Sequence, residues 1–140
     1  MIIKALEKAI KTKEEKQWDR TYWAFDIHET MIVPNWTDKE LPTKFYPYAK
    51  ETMQLISQQE DIVRILYTCS HPHEIELYLE YFKKFDIHFN YVNENPEVQN
   101  GSYGFYDYKP YFNVLFEDKS GFDCHSDWEL VYAFIKEWKR

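Results

Sequence analysis

Ionisable and hydroxyl side chains follow three apolar segments of the chain, at the points where those segments end. Asp26 and His28 follow "TYWAF", Thr68 follows "IVRILY", and Glu117 and Asp118 follow "NVLF". Acids from two separate segments supply the oxygen ligands that Mg²⁺ prefers in proteins, and a cation offsets the repulsion between carboxylates. The spacing therefore indicates a Mg²⁺ site, with Asp26 as a candidate reactive carboxylate.

Strands and helices alternate in the hydrophobic pattern that must position these side chains. Apolar, β-branched and aromatic runs predict strands over residues 21–27, 61–70, 86–92 and 111–118. Apolar residues at helical spacing predict helices over residues 2–18, 48–60, 71–85 and 126–138. The alternation favours an α/β fold with a mostly parallel sheet and helices on both faces. Ligands bind at the carboxyl ends of the strands in such a sheet, so the polar residues collect at one edge.

The composition restricts the class of protein. At 140 residues the chain is long enough for one domain with a substantial core. A net charge of −7 argues against a nucleic-acid groove, and no apolar run reaches the roughly 18 residues of a membrane span. The charged amino terminus is unlike a signal peptide, and Cys69 and Cys124 are expected to be reduced. We therefore expect a cytoplasmic protein that binds neither nucleic acid nor a membrane.

The order of these motifs resembles that of the haloacid dehalogenase superfamily, whose members are mostly phosphohydrolases with an aspartate nucleophile. The first motif of that family, Asp-x-Asp-x-Thr/Val after an apolar strand, resembles "AFDIHET", with Asp26 as nucleophile and Thr30 at the final position. The second motif, a Ser or Thr at the end of the second strand, matches Thr68. The resemblance implies a Rossmann-like three-layer sandwich with strand order 3-2-1-4 and little or no cap.

The remaining two motifs of the family lie toward the carboxyl terminus. The third motif is a lysine upstream of the fourth strand, for which Lys109 is the best match, ahead of Lys83 and Lys84. The fourth motif, an acidic pair, matches Glu117 and Asp118 in "NVLFEDKSGFD", where Asp123 adds a further acid.

The resemblance also implies a mechanism and a set of ligands. Asp26 would attack phosphorus to give an aspartyl-phosphate, and Thr68 and Lys109 would hold the phosphate. Mg²⁺ would be bound by Asp26, by Asp118 and by the backbone carbonyl of His28. Glu117 and Asp123 would be further acidic ligands of the same site. The expected substrate is a small phosphate monoester or a phosphorylated macromolecule.

His28 departs from the family pattern, because it stands where the family's phosphatases carry a second aspartate that transfers protons. An imidazole transfers protons near neutral pH, and neighbouring carboxylates are expected to raise its pKa. Three interpretations follow: a phosphatase with an altered acid/base, an enzyme with slow turnover, and a binding or regulatory protein that has lost catalysis.

The histidines suggest a separate metal site. In this alternative, a transition metal such as Zn²⁺ is bound by four histidines, namely His28, His71, His73 and His125.

Two segments lie outside the four motifs. Residues 1–20, predicted as an amphipathic helix, are set apart from the α/β domain at 21–140, and the helix could mediate homo-oligomerisation through its apolar side chains, Ile2, Ile3, Leu6 and Ile10. Residues 93–111 are polar and aromatic, and could close over the site as a small lid.

Overall fold

The computed structural model of the chain describes residues 1–36 and 40–140. The helices are α1 (Ile2–Glu15), α2 (Ala49–Ser57), α3 (Pro72–Lys83) and α4 (Asp127–Trp138). The strands are β1 (Thr21–Phe25), β2 (Ile62–Leu66), β3 (Tyr91–Val92) and β4 (Val114–Phe116), and a 3₁₀ turn (Asp118–Ser120) follows β4. In the described part of the chain, no helix is long and apolar enough to cross a membrane.

The four strands form a parallel sheet in the order β3-β2-β1-β4. The central strand β1 pairs with β2 from Thr21–Ile62 to Phe25–Leu66, and Phe25 pairs on its other side with Phe116 of β4. Every residue of β2 is buried, as expected for an interior strand of a parallel sheet. The predicted α/β Rossmann-like fold and strand order are therefore confirmed.

Asparagine side chains extend the short outer strands. The Oδ1 atom of Asn90 accepts the Arg64 N–H at 2.8 Å, and that of Asn113 accepts the Tyr22 N–H at 2.8 Å. Asn93 bonds both the N–H and the carbonyl of Thr68, at 2.8 and 2.9 Å. These amides satisfy backbone groups of the central strands beyond the ends of β3 and β4. Strands predicted over residues 86–92 and 111–118 are consequently only two and three residues long.

An aromatic stack joins β1 and β4 to the last helix. The Phe25 and Phe116 rings stack with their centroids 4.5 Å apart, and Phe116 stacks on Trp128 of α4 at 5.6 Å. Stacked and edge-on aromatic pairs add to the free energy of burial and resist shifts in register. The stack therefore holds the carboxyl ends of β1 and β4 together, immediately before Asp26 and Glu117.

Helix α1 is part of the same core rather than an appendage to it. Ile2, Leu6 and Ala9 are buried in the main apolar cluster, and the helix contacts α4, β1 and β4. Ile2 and Leu6 are consequently not available for self-association. The amphipathic helix predicted from the sequence is confirmed, and its apolar face is used within the chain.

The segment from residue 93 to residue 112 connects β3 to β4 and crosses from the carboxyl end of the sheet to its start. Its Glu97 binds Arg20 just before β1, and its Tyr111 contacts Trp18 and Tyr22. Its Asn93 binds Thr68, and its Phe112 contacts Tyr67 at the carboxyl end of β2. A lid over the site stays a prediction, since the described contacts of Glu97 and Tyr111 lie at the other end of β1.

Candidate metal and phosphate site

Three carboxylates converge at the carboxyl edge of the sheet. Asp26 follows β1 and Glu117 follows β4, and the Asp26 N–H continues the pairing of these strands by donating to the Phe116 carbonyl at 3.0 Å. One oxygen each from Asp26, Glu117 and Asp118 lie within 4.8 Å of one another, and all three residues are half-buried. This group is called the acidic cluster below. Parallel pairing of β1 with β4 is what brings together residues about ninety positions apart.

Burial and mutual repulsion make the acidic cluster hard to ionise fully. Burial raises the pKa of Asp26, and Asp118 raises it further, while the Ile27 N–H at 2.8 Å favours the charged form. Burial also raises the pKa of Glu117, which is hydrogen-bonded to Asp118 and repelled by it and by Asp26. A divalent cation would relieve this repulsion, and three carboxylate oxygens are the donors that Mg²⁺ takes. The residues therefore fit the Mg²⁺ that the resemblance implies.

Within the part of the chain that the structure describes, the turn after Asp26 satisfies the carbonyl of Ile27 but not that of His28. The carbonyl of Ile27 accepts the N–H groups of Thr30, Met31 and Ile32 at 3.4, 2.8 and 2.9 Å. Among the described residues, none donates a hydrogen bond to the carbonyl of His28. The resemblance implies that this carbonyl is a further oxygen ligand for a cation.

The imidazole of His28 contacts helix α3. Its Nε2 atom lies 2.7 Å from the Tyr78 hydroxyl oxygen, and the two rings meet edge to face. The ring borders a groove of about 660 Å³ that is also lined by His71, His73 and Glu74. Burial lowers the pKa of His28, while Glu74 and Glu29 act in the opposite direction. The expectation that carboxylates would raise this pKa is therefore wrong, because the desolvation of the ring outweighs them.

The four histidines of the transition-metal alternative do not share one site. The rings of His71 and His73 stack 5.8 Å apart at the start of α3, whereas His125 contacts Tyr46. Within residues 1–36 and 40–140, the acidic cluster is the one group of three ligating side chains close enough to hold an ion. The structure therefore does not support a histidine-bound metal.

The cation beside the acidic cluster is Lys119. Its charge lowers the pKa of Asp26, opposing the effect of Asp118. Lys119 lies in the 3₁₀ turn, directly after Asp118. Lys109, which is exposed like Lys119, lies in the 93–112 segment. Lys119 is therefore the lysine whose charge acts on Asp26.

Thr68 lies at the same edge of the sheet as Asp26. The Tyr67 N–H donates to the Phe25 carbonyl at 2.8 Å, so Thr68 comes one residue beyond the level of Asp26. Its hydroxyl oxygen lies 2.9 Å from that of Ser70 and accepts the Ser70 N–H at 3.2 Å. Asn93 fixes its backbone from the other side, so the hydroxyl is held on a rigid strand end.

Asp123 lies outside the acidic cluster and holds the turn before α4. Its carboxylate accepts the His125 N–H at 3.0 Å, and its own N–H donates to the Asp127 carboxylate at 2.8 Å. The bond from His125 is the main reason that the pKa of Asp123 is lowered. Asp123 thus stabilises the start of the helix, a role that the motif spacing did not predict.

Three residues near the acidic cluster were missed in the sequence. Lys119 and Glu29 lie inside the quoted motifs, at positions where the family pattern specifies no residue type. Glu29 is exposed, has a left-handed φ of 58°, and its charge raises the pKa of Asp26. Buried Tyr46 is hydrogen-bonded to Cys124, and burial is the main cause that raises its pKa to about 12. An uncommon backbone conformation at a non-glycine residue is often found in functional turns, but it cannot be read from the sequence.

Comparisons with known proteins support the fold. No protein-family model matches the chain, and no curated protein matches it. Among solved structures, the chain is similar to a conserved protein from Bacteroides thetaiotaomicron, with a TM-score of 0.64. The two are 21% identical, and the match covers 86% of this chain and 93% of that one. At this level of identity the likeness concerns the fold alone.

Proposed function

We propose that this chain is a Mg²⁺-dependent phosphomonoester hydrolase of haloacid dehalogenase type, with Asp26 as the nucleophile. The observation that carries the proposal is the acidic cluster, in which Asp26, Glu117 and Asp118 meet at the carboxyl edge of the sheet beside Lys119. Ligands of open α/β sheets bind at this edge. The substrate class is a small phosphate ester or a phosphorylated macromolecule, because a site with little or no cap admits either.

Each residue of the site has a distinct part in the proposed reaction. Asp118, Glu117 and the His28 carbonyl would hold Mg²⁺ with one oxygen of Asp26, and the ion would supply charge neutralisation for the phosphoryl oxygens. The other oxygen of Asp26 attacks phosphorus, forming an aspartyl-phosphate and releasing the alcohol. The bond from the Ile27 N–H to Oδ1 holds the Asp26 carboxylate in one orientation.

Lys119 and Thr68 stabilise the transferred phosphoryl group. The charge of Lys119 favours the ionised form of the carboxylate that attacks, which supports Lys119 as the group that offsets the charge of the phosphoryl oxygens. The hydroxyl of Thr68 is held at the same edge by Ser70 and Asn93 and donates to a phosphoryl oxygen. Water then hydrolyses the aspartyl-phosphate and releases inorganic phosphate.

Activation of the water that hydrolyses the aspartyl-phosphate is assigned to Glu29. Its exposed carboxylate is a proton acceptor, and its charge acts on Asp26. The His28 ring, which the family pattern would select, is bonded to Tyr78. The leaving alcohol takes its proton from solvent. Replacing Glu29 with Gln should therefore slow hydrolysis of the aspartyl-phosphate more than its formation, which a burst of alcohol release would show.

The proposal is tested by Mg²⁺-dependent release of phosphate from an aryl phosphate. We expect turnover with Mg²⁺, none with a chelator, and none in Asp26→Asn, which retains the size of the side chain but not its nucleophilic charge. Asp123→Asn is the matched control, because Asp123 lies outside the acidic cluster, and it should retain activity. Equal activity in Asp26→Asn and the wild-type protein would refute the assignment.

A catalytically impaired binding or regulatory protein is the second candidate. It is favoured by the bond between His28 and Tyr78, which occupies the imidazole at the position of the family's acid/base. In this case the wild-type protein shows no turnover over a broad panel of phosphate esters with Mg²⁺, and His28→Asp creates activity. Loss of activity in His28→Asp would instead identify His28 as a working acid/base.

A further inference from the structure

An aromatic pocket lies at the opposite end of β1 from the acidic cluster. Five rings line this cavity of about 580 Å³, and they are called the aromatic pocket below: Trp18, Tyr22, Tyr103, Tyr106 and Tyr111. They come from the end of the α1–β1 connection, from β1 itself and from the 93–112 segment. The pocket shares no residue with the proposed phosphatase site.

The rings of the aromatic pocket meet nearly at right angles. Tyr111 is the common partner, with centroid distances of 6.3 Å to Trp18, 6.0 Å to Tyr22 and 5.7 Å to Tyr106. The interplanar angles are 78°, 79° and 76°. Tyr111 therefore packs edge to face against three rings and fixes their positions in the wall of the pocket. Ring faces that remain open carry the negative part of the aromatic quadrupole.

A cation of the chain itself already occupies two of these ring faces. The Lys16 Nζ atom lies 5.6 Å from the centroid of the Trp18 ring and 5.4 Å from that of Tyr103. Both distances lie within the range of cation–π attraction. The Lys16 side chain is exposed, so it can leave the pocket without disturbing the core.

The charges around the aromatic pocket favour a cation once Lys16 has moved away. Arg20 is paired with Glu97 at 3.0 Å, and Glu97 also accepts a hydrogen bond from Tyr91 at 2.6 Å. Asp19 lines the pocket as well and leaves it with one uncompensated negative charge when Lys16 is outside. The net charge of −7 on the whole chain acts in the same direction over a longer range.

We propose that the aromatic pocket binds a small organic cation with a methylated ammonium group, which displaces Lys16 from Trp18 and Tyr103. A quaternary ammonium is less strongly hydrated than the primary ammonium of lysine, so it loses less on leaving water. Aromatic cages are the usual sites for such groups, because the ring faces attract the charge and the methyl groups fill the space. A soluble small molecule fits a cavity of about 580 Å³ that is open to solvent.

The test compares choline with its uncharged isostere, in which a tert-butyl group replaces the trimethylammonium group. Binding is measured by isothermal titration calorimetry on the full chain, and by the change in intrinsic fluorescence, to which Trp18 contributes as one of five tryptophans. We expect choline to bind about threefold more tightly than the isostere, the difference expected of a cation–π contact at a solvent-exposed site. Equal affinities for the two compounds, or no binding of choline, would overturn the proposal.

Two variants and one control separate a cage from a general apolar surface. Lys16→Met should bind choline more tightly, because the competing ammonium is gone, and Tyr103→Ala should bind it more weakly. Tyr103 is 81% exposed, so its removal does not threaten folding. Tyr108 is 90% exposed and does not line the pocket, so Tyr108→Ala should leave the affinity unchanged. Unchanged affinity in Tyr103→Ala would also overturn the proposal.

Discussion

The Nε2 atom of His28 lies 2.7 Å from the hydroxyl oxygen of Tyr78, and this contact directs the imidazole toward helix α3. Asp26, only two residues earlier, belongs instead to the acidic cluster with Glu117 and Asp118. Asp26 and His28, two residues apart in one turn, therefore lie in different environments. Asp26 belongs to the acidic cluster at the sheet edge, and the partly buried ring of His28 packs against an aromatic residue of α3. The protonation behaviour of His28 follows from that second environment.

Acidification should remove a stabilising contribution of His28. Burial lowers its folded pKa below the ordinary value of 6.5, so the unfolded chain takes up a proton first as the pH falls. The contribution is complete above pH 6.5 and is lost as the pH drops through the folded pKa. The measurement is the free energy of urea unfolding as a function of pH, for the wild-type protein and for His28→Gln, which should lack this component. His88→Gln, at an exposed position, is the control and should keep the wild-type pH dependence.

Asp118→Asn should stabilise the metal-free protein and abolish its stabilisation by Mg²⁺. Removing one charge relieves the repulsion that raises the pKa of Asp26 and Glu117, while the proposed ion loses a ligand. At a Mg²⁺ concentration one hundred times its dissociation constant, the wild-type protein should gain about 2.7 kcal/mol in free energy of unfolding. Thermal unfolding with and without Mg²⁺ measures both effects. Asp123→Asn should respond to Mg²⁺ like the wild-type protein, and a normal Mg²⁺ response in Asp118→Asn would contradict the site.

Lys119→Met should lower kcat/KM for an aryl phosphate by about 100-fold, the usual effect of removing a charge that stabilises a transition state. Lys109→Met should change it little, because Lys119 is the lysine whose charge acts on Asp26. Steady-state kinetics of the two variants decide between the lysine chosen from the motif order and the one chosen from the structure. A large loss in Lys109→Met together with a normal Lys119→Met would reverse the assignment.

Thr30→Val and Thr52→Val should have opposite effects on stability. Both threonines are fully buried, but among the described residues the Thr30 hydroxyl has no hydrogen-bond partner, whereas the Thr52 hydroxyl donates to the Trp128 carbonyl at 2.9 Å. In Thr30→Val, valine removes a buried hydroxyl that lacks a hydrogen-bond partner among the described residues. In Thr52→Val, it removes a hydroxyl that makes a hydrogen bond. We expect changes of about 1 kcal/mol, stabilising at Thr30 and destabilising at Thr52. Chemical denaturation measures both, and a destabilised Thr30→Val would mean that its hydroxyl has a bound water or another partner.

The strands and the acids at their ends could be predicted from the sequence because they depend on local pattern. An apolar run such as "TYWAF" must be buried, and a charge such as Asp26 must leave the core, so the strand end is marked by the change in polarity. Once the strands are parallel and in the order 3-2-1-4, Asp26 and Glu117 necessarily meet at one edge. The convergence of the acidic cluster was therefore determined by the sequence and confirmed by the fold.

Interactions between distant segments were beyond the reach of any local pattern. The apolar face of α1 indicates only that Leu6 needs a partner, and the structure supplies that partner within the chain. Likewise, the composition of residues 93–111 is compatible with a lid, but Glu97 and Tyr111 are held at the other end of β1 by Arg20 and Tyr22. The partners of an apolar helix face or of a long loop depend on which surfaces remain unburied once the rest of the chain has folded.

The sequence by itself determined the alternation of strands and helices and the acids at the strand ends, because hydrophobic period and polarity are properties of neighbouring residues. The strand order was implied by the family resemblance, and the fold confirmed it. Only the tertiary structure decided that Lys119 rather than Lys109 lies near Asp26, and that His28 faces Tyr78. The direction of a side chain in a turn depends on backbone angles such as the left-handed φ of Glu29 and on the partners within reach. Those partners come from helices and strands far along the chain, so they exist only once the chain is folded.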